Sequence, residues 1–245
     1  MCGWRTVVGK GLWALPPADL LRAQADWLGA ARSRLLRRAG IARRRRILDL
    51  GAGYGAVTEE LVRRGGGEVV ALDRQWEALR GIEGAWRVGG EGEVLPFRRG
   101  VFDLVWAQCF FLWVGRDSWA EVIGEIRRVL DEGGVLVAIE PDYGGMMEYP
   151  AEVASRDLWL AGLTRAGAEP LVGRMLPSWL AEVGFEVEVG LLERVEVAEG
   201  ARWDLLAGLP LTAEENGRMM EARRWEVEKR PFVHLPFFLI TAWRQ

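Results

Sequence analysis

The stretch Ile47-Leu48-Asp49-Leu50-Gly51-Ala52-Gly53-Tyr54-Gly55 constrains the fold more than any other part of the chain. Three apolar residues and one acid read as a short buried strand. Glycines at alternate positions then make a turn, and Val57-Thr58-Glu59-Glu60-Leu61-Val62 reads as the helix that follows. Glycine serves where the backbone needs a positive φ or must let a ligand come close. A glycine turn between a strand and a helix places backbone N–H groups beside a crevice at the strand's carboxyl end. The reading at this point is a site for a nucleotide-like ligand.

The pattern before and after this stretch defines an α/β chain. Pro16-Pro17 opens a helix in which Leu21, Ala25, Leu28, Ala31 and Leu35 form an apolar stripe to about Arg38, closed by Gly40. Its other face carries Arg32, Arg34, Arg37 and Arg38, and Arg43 to Arg46 lead into the first strand. Further strands read at 68–73, 85–88, 102–107 and 135–139, with helices between them. The apolar positions Trp119, Val122, Ile123, Ile126, Val129 and Leu130 mark the clearest of these helices. Strands alternating with helices predict a parallel sheet covered on both faces. Beyond 141 the expectation is helices at 151–168, 177–183 and 201–229, a strand at 185–197 and a last strand at 232–243. We read a single domain over 1–245. Residues 1–40 are expected to form an N-terminal helical extension covering the site, 47–141 the ligand-binding core, and 142–245 the remaining helices and last two strands.

Composition narrows the partners. The formal charge of −3 is no global signal for nucleic acid. The cations are 30 Arg and two Lys, Asn occurs once, and so few thermolabile amides fit a thermophile. The two cysteines, Cys2 and Cys109, make neither a disulfide framework nor a metal site, so a reducing cytosol is the default compartment. The first apolar stretch is short and stops at Pro16-Pro17, and no run approaches the roughly 20 apolar residues of a membrane span. The expectation is a cytoplasmic chain without signal peptide or membrane anchor.

Two features discriminate among nucleotide-like ligands. Gly51-Ala52-Gly53-Tyr54-Gly55-Ala56 fits the relaxed dinucleotide pattern, with Asp73 about 20 residues on. Asp49, however, lies in the strand beneath the turn, where it repels a pyrophosphate and attracts an ammonium. Downstream, Gly92-Glu93-Val94-Leu95-Pro96-Phe97 precedes Phe102-Asp103-Leu104-Val105.

With these pieces in order, the chain resembles the class I S-adenosylmethionine-dependent methyltransferases, especially those acting on small molecules. The resemblance runs through ILDLGAGYG, VVALD at 69–73, GEVLPF at 92–97, FDLVWAQ at 102–108 and EVIGEIRRVLDEGGVLVAIEP, and continues loosely through LPSWLAEVGFEVEV and FFLITAWR. It implies a Rossmann-like seven-stranded sheet, mostly parallel with an antiparallel last strand, and S-adenosylmethionine as cofactor. It implies that Gly51, Ala52 and Gly53 bring backbone against the methionine part, with Asp49 holding its ammonium directly or through water. Asp73 would accept both ribose hydroxyls, Arg74 would lie on an adenine face, and Glu91 and Gly92 would read the adenine edge. Glu91 departs from the family's usual Asp. The chain around Ala107 and Gln108 would close the methionine end.

Methyl transfer from a sulfonium asks mainly for alignment, exclusion of water and at times removal of a proton. The acceptor must reach the carboxyl ends of the first, fourth and fifth strands, where Tyr54, Gln108, Cys109, Phe110, Phe111, Trp113, Glu140, Asp142 and Tyr143 are available. Our candidates for orienting or deprotonating it are Glu140, Asp142 and Tyr143. His234, the only histidine, lies in the expected last strand, away from this edge. The Arg run at 43–46 enters the first strand at its amino end, opposite the cofactor. A helix of about 20 residues spans ~30 Å, so the N-terminal helix would begin near the cofactor edge, and residues 4–21, with Trp4 and Trp13, are expected to cover the acceptor pocket. The expected partner is a small-molecule acceptor. An RNA or protein methyltransferase, a non-catalytic cofactor-binding protein and a nicotinamide dehydrogenase are the competing readings.

Overall fold

A computed structural model describes residues 15–192, 200–229 and 231–245. Trp4 and Trp13, and positions 193–197 of the expected strand, lie outside them. The strands of the main sheet are β1 (Arg46–Leu50), β2 (Glu68–Asp73), β3 (Trp86–Gly89), β4 (Phe102–Gln108), β5 (Leu130–Pro141), β7 (Phe185–Leu191) and β9 (Phe237–Arg244). Their order is β3-β2-β1-β4-β5-β9-β7, and β9 runs antiparallel to both β5 and β7. This is the seven-stranded, mostly parallel, Rossmann-like sheet with an antiparallel last strand that the resemblance implies. The strand order reverses between β1 and β4, and such a reversal opens a crevice at the carboxyl ends of the two strands.

Both faces of the sheet are covered. The helices are α1 (Ala18–Trp27), α2 (Gly29–Arg38), α3 (Thr58–Arg64), α4 (Trp76–Leu79), α5 (Trp119–Val129), α6 (Arg156–Arg165), α7 (Val172–Glu182), α8 (Ala201–Ala207) and α9 (Ala213–Lys229). On one face α1 and α2 pack Ala25, Leu28, Ala31, Leu35 and Leu36 against Ile47, Leu104, Trp106 and Val137 of the sheet. On the other, the stripe Trp119, Val122, Ile123, Ile126 and Val129 of α5 is fully buried beside Leu48, Val105 and Leu136. Each such large apolar side chain contributes roughly 1.5–3 kcal/mol by leaving water.

The structure corrects four details of the sequence reading. The N-terminal helix breaks at Leu28, where ψ is 0°, into α1 and α2. Gly29, a poor helix interior residue, follows the break. The expected helix at 201–229 is interrupted after Ala207 and resumes at Ala213, because Gly208 and Pro210 stand between. The expected last strand splits at Pro236, which has no N–H for a ladder. Its first part becomes β8 (Phe232–His234), paired antiparallel with β6 (Met147–Tyr149) in a separate ribbon. Arg32, assigned to the solvent face, is 5 % exposed. Its Nε donates to Glu60 at 2.6 Å, and its Nη1 donates to the Ala25 carbonyl at 2.7 Å and reaches Gln108 Oε1 at 3.4 Å. A buried guanidinium is tolerated when its donors are matched this way.

Candidate active site

The crevice lies where the order of strands predicts it, at the carboxyl ends of β1, β2, β4 and β5, with a cavity volume of about 400 Å³. Arg43 to Arg46 sit at the opposite, amino end of β1.

The floor is the glycine turn. Gly51, Gly53 and Gly55 have φ of 76°, 50° and 81°, in the left-handed region that glycine adopts without strain. The N–H groups of Gly51 and Ala52 both donate to the Leu72 carbonyl, tying the turn to β2. A Cβ on Gly51 would stand 2.6 Å from Phe110 Cδ2, so the glycine is needed for close packing as well as for φ. Beneath the turn, Asp49 is 3 % exposed and accepts a 2.6 Å bond from the Thr58 hydroxyl at the start of α3. Burial pushes its carboxyl up to about 7. Asp49 supports the turn from below and does not line the crevice, nor do Ala52 and Gly53.

Asp73 closes β2 and faces the crevice while 7 % exposed. Its Oδ2 accepts the Gly53 N–H at 2.9 Å and its Oδ1 the Gln75 N–H at 2.8 Å. Each oxygen keeps a second lone pair for a ligand hydroxyl. Arg74, Glu91 and Gly92 line the same half of the crevice. The loop carrying Glu91 and Gly92 is pinned from α5. Arg128 donates to the Phe97 and Leu95 carbonyls at 2.7 and 2.9 Å, and Glu125 accepts the Leu95 N–H at 2.8 Å.

After β4 the chain turns sharply through Cys109, whose φ is 53°. A non-glycine residue there is strained and needs the surroundings to hold it. Glu140, at the end of β5, supplies the hold. Its Oε1 accepts the N–H groups of Phe110 and Phe111, both at 2.9 Å, and its Oε2 that of Leu112 at 3.3 Å. The carboxyl is fully buried, and burial pushes it up to about 8 against the downward pull of those three donors. Gln108, Cys109 and Phe110 thereby face the crevice.

The three candidates for acting on an acceptor separate in space. Glu140 is committed to the loop after β4. Asp142 is 3 % exposed and ion-paired with Arg174 at 2.7 Å. Neither lines the crevice, whereas Tyr143 does. The Tyr143 ring stacks on Trp159 with centroids 4.8 Å apart. Its hydroxyl has no hydrogen-bond partner among the described residues. Burial, and then the neighbouring Cys109, push that phenol up, so it stays protonated and can only donate or accept a hydrogen bond at neutral pH. Burial also raises the Cys109 thiol, which is therefore no thiolate nucleophile.

Apart from Trp113, the far half of the crevice was not legible in the sequence. It is walled by Trp113, Trp159, Leu163, Leu205 and Leu209, brought together from the loop after β4 and from α6 and α8. Over the glycine turn lies the N-terminal segment, with Leu15, Pro16, Leu20, Leu21 and Gln24 lining the crevice. A Cβ on Gly53 would be 3.8 Å from Leu15.

The sheet order, the switch-point crevice floored by a glycine turn and the acid closing β2 define a Rossmann-like domain. Residues 48–138 match a family model described as a methyltransferase domain. It is 33 % identical over 141 residues to a glycine/sarcosine/dimethylglycine N-methyltransferase of Actinopolyspora halophila, covering 54 % of this chain and 24 % of that protein. It is 35 % identical over 105 residues to a sarcosine/dimethylglycine N-methyltransferase of Halorhodospira halochloris, covering 39 % of this chain and 37 % of that one. The matches thus span between a quarter and two-fifths of these relatives' lengths. A geranyl diphosphate C-methyltransferase of Streptomyces coelicolor, solved with Mg²⁺, geranyl diphosphate and S-adenosyl-L-homocysteine, shares the fold with a TM-score of 0.54 at 17 % identity, covering 93 % of this chain and 83 % of that one. No described helix is long and apolar enough to cross a membrane.

Proposed function

We propose that the protein is an S-adenosylmethionine-dependent methyltransferase acting on a small molecule. The observation that carries this reading is Asp73. It is a buried carboxylate at the mouth of β2, fixed by two backbone N–H groups and open to the crevice above the glycine turn. The methyltransferase-domain match over 48–138 and the N-methyltransferase relatives support it.

The residues present fit the cofactor. Asp73 would accept its ribose hydroxyls, the Gly51–Gly53 turn would back its methionine part, and Glu91, Gly92 and Arg74 would surround its adenine. Asp49 would favour its ammonium from beneath the turn, through the backbone or a water. When bound, S-adenosylmethionine supplies a methyl group on a positively charged sulfur, activated toward in-line displacement. The crevice would align the acceptor's lone pair with that methyl group. Tyr143 is the residue we assign to orient the acceptor, because its protonated hydroxyl can hydrogen-bond an acceptor oxygen or nitrogen. Glu140 holds the strained turn at Cys109 in register. The N-terminal segment excludes water over the reacting atoms. The expected compartment is the cytoplasm.

A thermal-shift comparison tests the reading. S-adenosylmethionine and S-adenosylhomocysteine are expected to raise the melting temperature and NAD is not. Stabilisation by NAD alone contradicts it.

A further inference from the structure

The N-methyltransferase relatives carry names of small amino acids, yet the acceptor half of this crevice is built for another kind of molecule. The family match ends at residue 138, so it covers the donor half. The acceptor wall lies mostly beyond it, in Tyr143, Trp159, Leu163, Leu205 and Leu209. That wall is buried and apolar apart from the Tyr143 hydroxyl and the Trp159 indole N–H, which has no partner among the described residues. Leu163 is 1 % exposed, Leu209 8 % and Trp159 4 %, and the Tyr143 and Trp159 rings are stacked at 26° between planes.

The charges point the same way. Among the described residues, four carboxylates line the crevice, those of Asp73, Glu91, Glu93 and Asp204, against one guanidinium, that of Arg74. Arg74 directly follows Asp73 and belongs to the donor half. In the acceptor half the charged residue is Asp204, whose carboxylate is ion-paired with Arg223 at 2.7 Å. Such a surface suits a cationic donor. A substrate carboxylate in the acceptor half would meet apolar walls and the already paired Asp204, with no cation lining that half among the described residues, and there an unpaired anion is strongly disfavoured.

We infer that the acceptor is an uncharged small molecule with a flat or aliphatic apolar body and no carboxylate, seated between Trp113, Trp159, Leu205 and Leu209, with its polar atom toward the Tyr143 hydroxyl. This deepens the methyltransferase reading and rests on it.

Calorimetry separates the two. The protein is first titrated with S-adenosylhomocysteine, and the loaded protein then with 2-naphthol, 2-naphthoate and sarcosine. The first two share a flat apolar body and differ in the carboxylate. The expected result is that 2-naphthol binds about tenfold or more tighter than 2-naphthoate and that sarcosine gives no heat. Leu205→Lys should reverse the preference toward naphthoate while leaving S-adenosylhomocysteine affinity unchanged. Naphthoate or sarcosine binding as tightly as naphthol, no binding of naphthol, or an unaltered preference in the Leu205→Lys protein overturns the inference. Failure of S-adenosylhomocysteine to bind in the first titration overturns the donor reading instead, and this assignment with it.

Discussion

Glu140→Gln probes the residue that holds the loop after β4. In the folded chain the Glu140 carboxyl is fully buried and shifted from its ordinary 4.5 up to about 8, with burial the dominant cause. An acid whose folded value is raised binds its proton in the native state while the unfolded chain has already released it. Stability from this group is therefore fully present below about pH 4.5 and lost as pH rises toward 8. The loss is about 1.4 kcal/mol per pH unit for one proton. Asp49, shifted from 3.8 up to about 7 by burial, adds a second loss over its own window. Glutamine mimics the protonated acid. Its oxygen can accept from Phe110 and Phe111, and it forgoes only the long bond from Leu112, a cost of about 1 kcal/mol. Urea unfolding followed by tryptophan fluorescence, at pH 5, 6, 7 and 8 and fixed ionic strength, should give a wild-type stability that falls steeply with pH. The variant, retaining only the Asp49 contribution, should fall less steeply, and it should overtake the wild type between pH 5 and 6, where the wild type's loss passes about 1 kcal/mol. Parallel slopes, with the variant weaker by several kcal/mol throughout, would refute the reasoning. They would mean that the three N–H donors outweigh burial and that the native carboxylate is ionised.

Gly51→Ala should cost about 1–3 kcal/mol, since its Cβ would lie 2.6 Å from Phe110 at a φ of 76°, and should weaken S-adenosylhomocysteine binding in calorimetry. Tyr143→Phe should lower turnover on the true acceptor by about tenfold or more at unchanged S-adenosylhomocysteine affinity. Asp142→Asn should keep turnover, because its carboxylate serves Arg174 outside the crevice. Deleting residues 1–15 should weaken acceptor binding, measured as a raised KM, because Leu15 and the segment after it cover the glycine turn.

The glycine-turn floor of the crevice was legible because its parts are local. A buried strand, alternating glycines and an acid closing the next strand lie within a few tens of residues, and each backbone requirement leaves a mark on residue type. The order of the sheet came through the resemblance. The acceptor wall left no mark, because Trp159, Leu163, Leu205 and Leu209 carry the same apolar signal as any core helix. Only the packing of α6 and α8 over the crevice shows their role. Glu140 was legible as a candidate but not as a brace, since its partners are backbone N–H groups, which have no signature in sequence. Arg32 misled for a related reason. Helical periodicity assigns an arginine to water, and only the tertiary partners Glu60 and Gln108 make an inward guanidinium affordable.

The central claim is that Asp73 and the glycine turn hold S-adenosylmethionine. Calorimetric titration of S-adenosylhomocysteine into wild-type and Asp73→Ala protein tests it most directly, with circular dichroism to establish that the variant is folded. The account predicts saturable binding to the wild type, a loss of about tenfold or more in the folded variant, and no binding of NAD to either. Equal affinity for both proteins, or saturable NAD binding by the wild type, would contradict it.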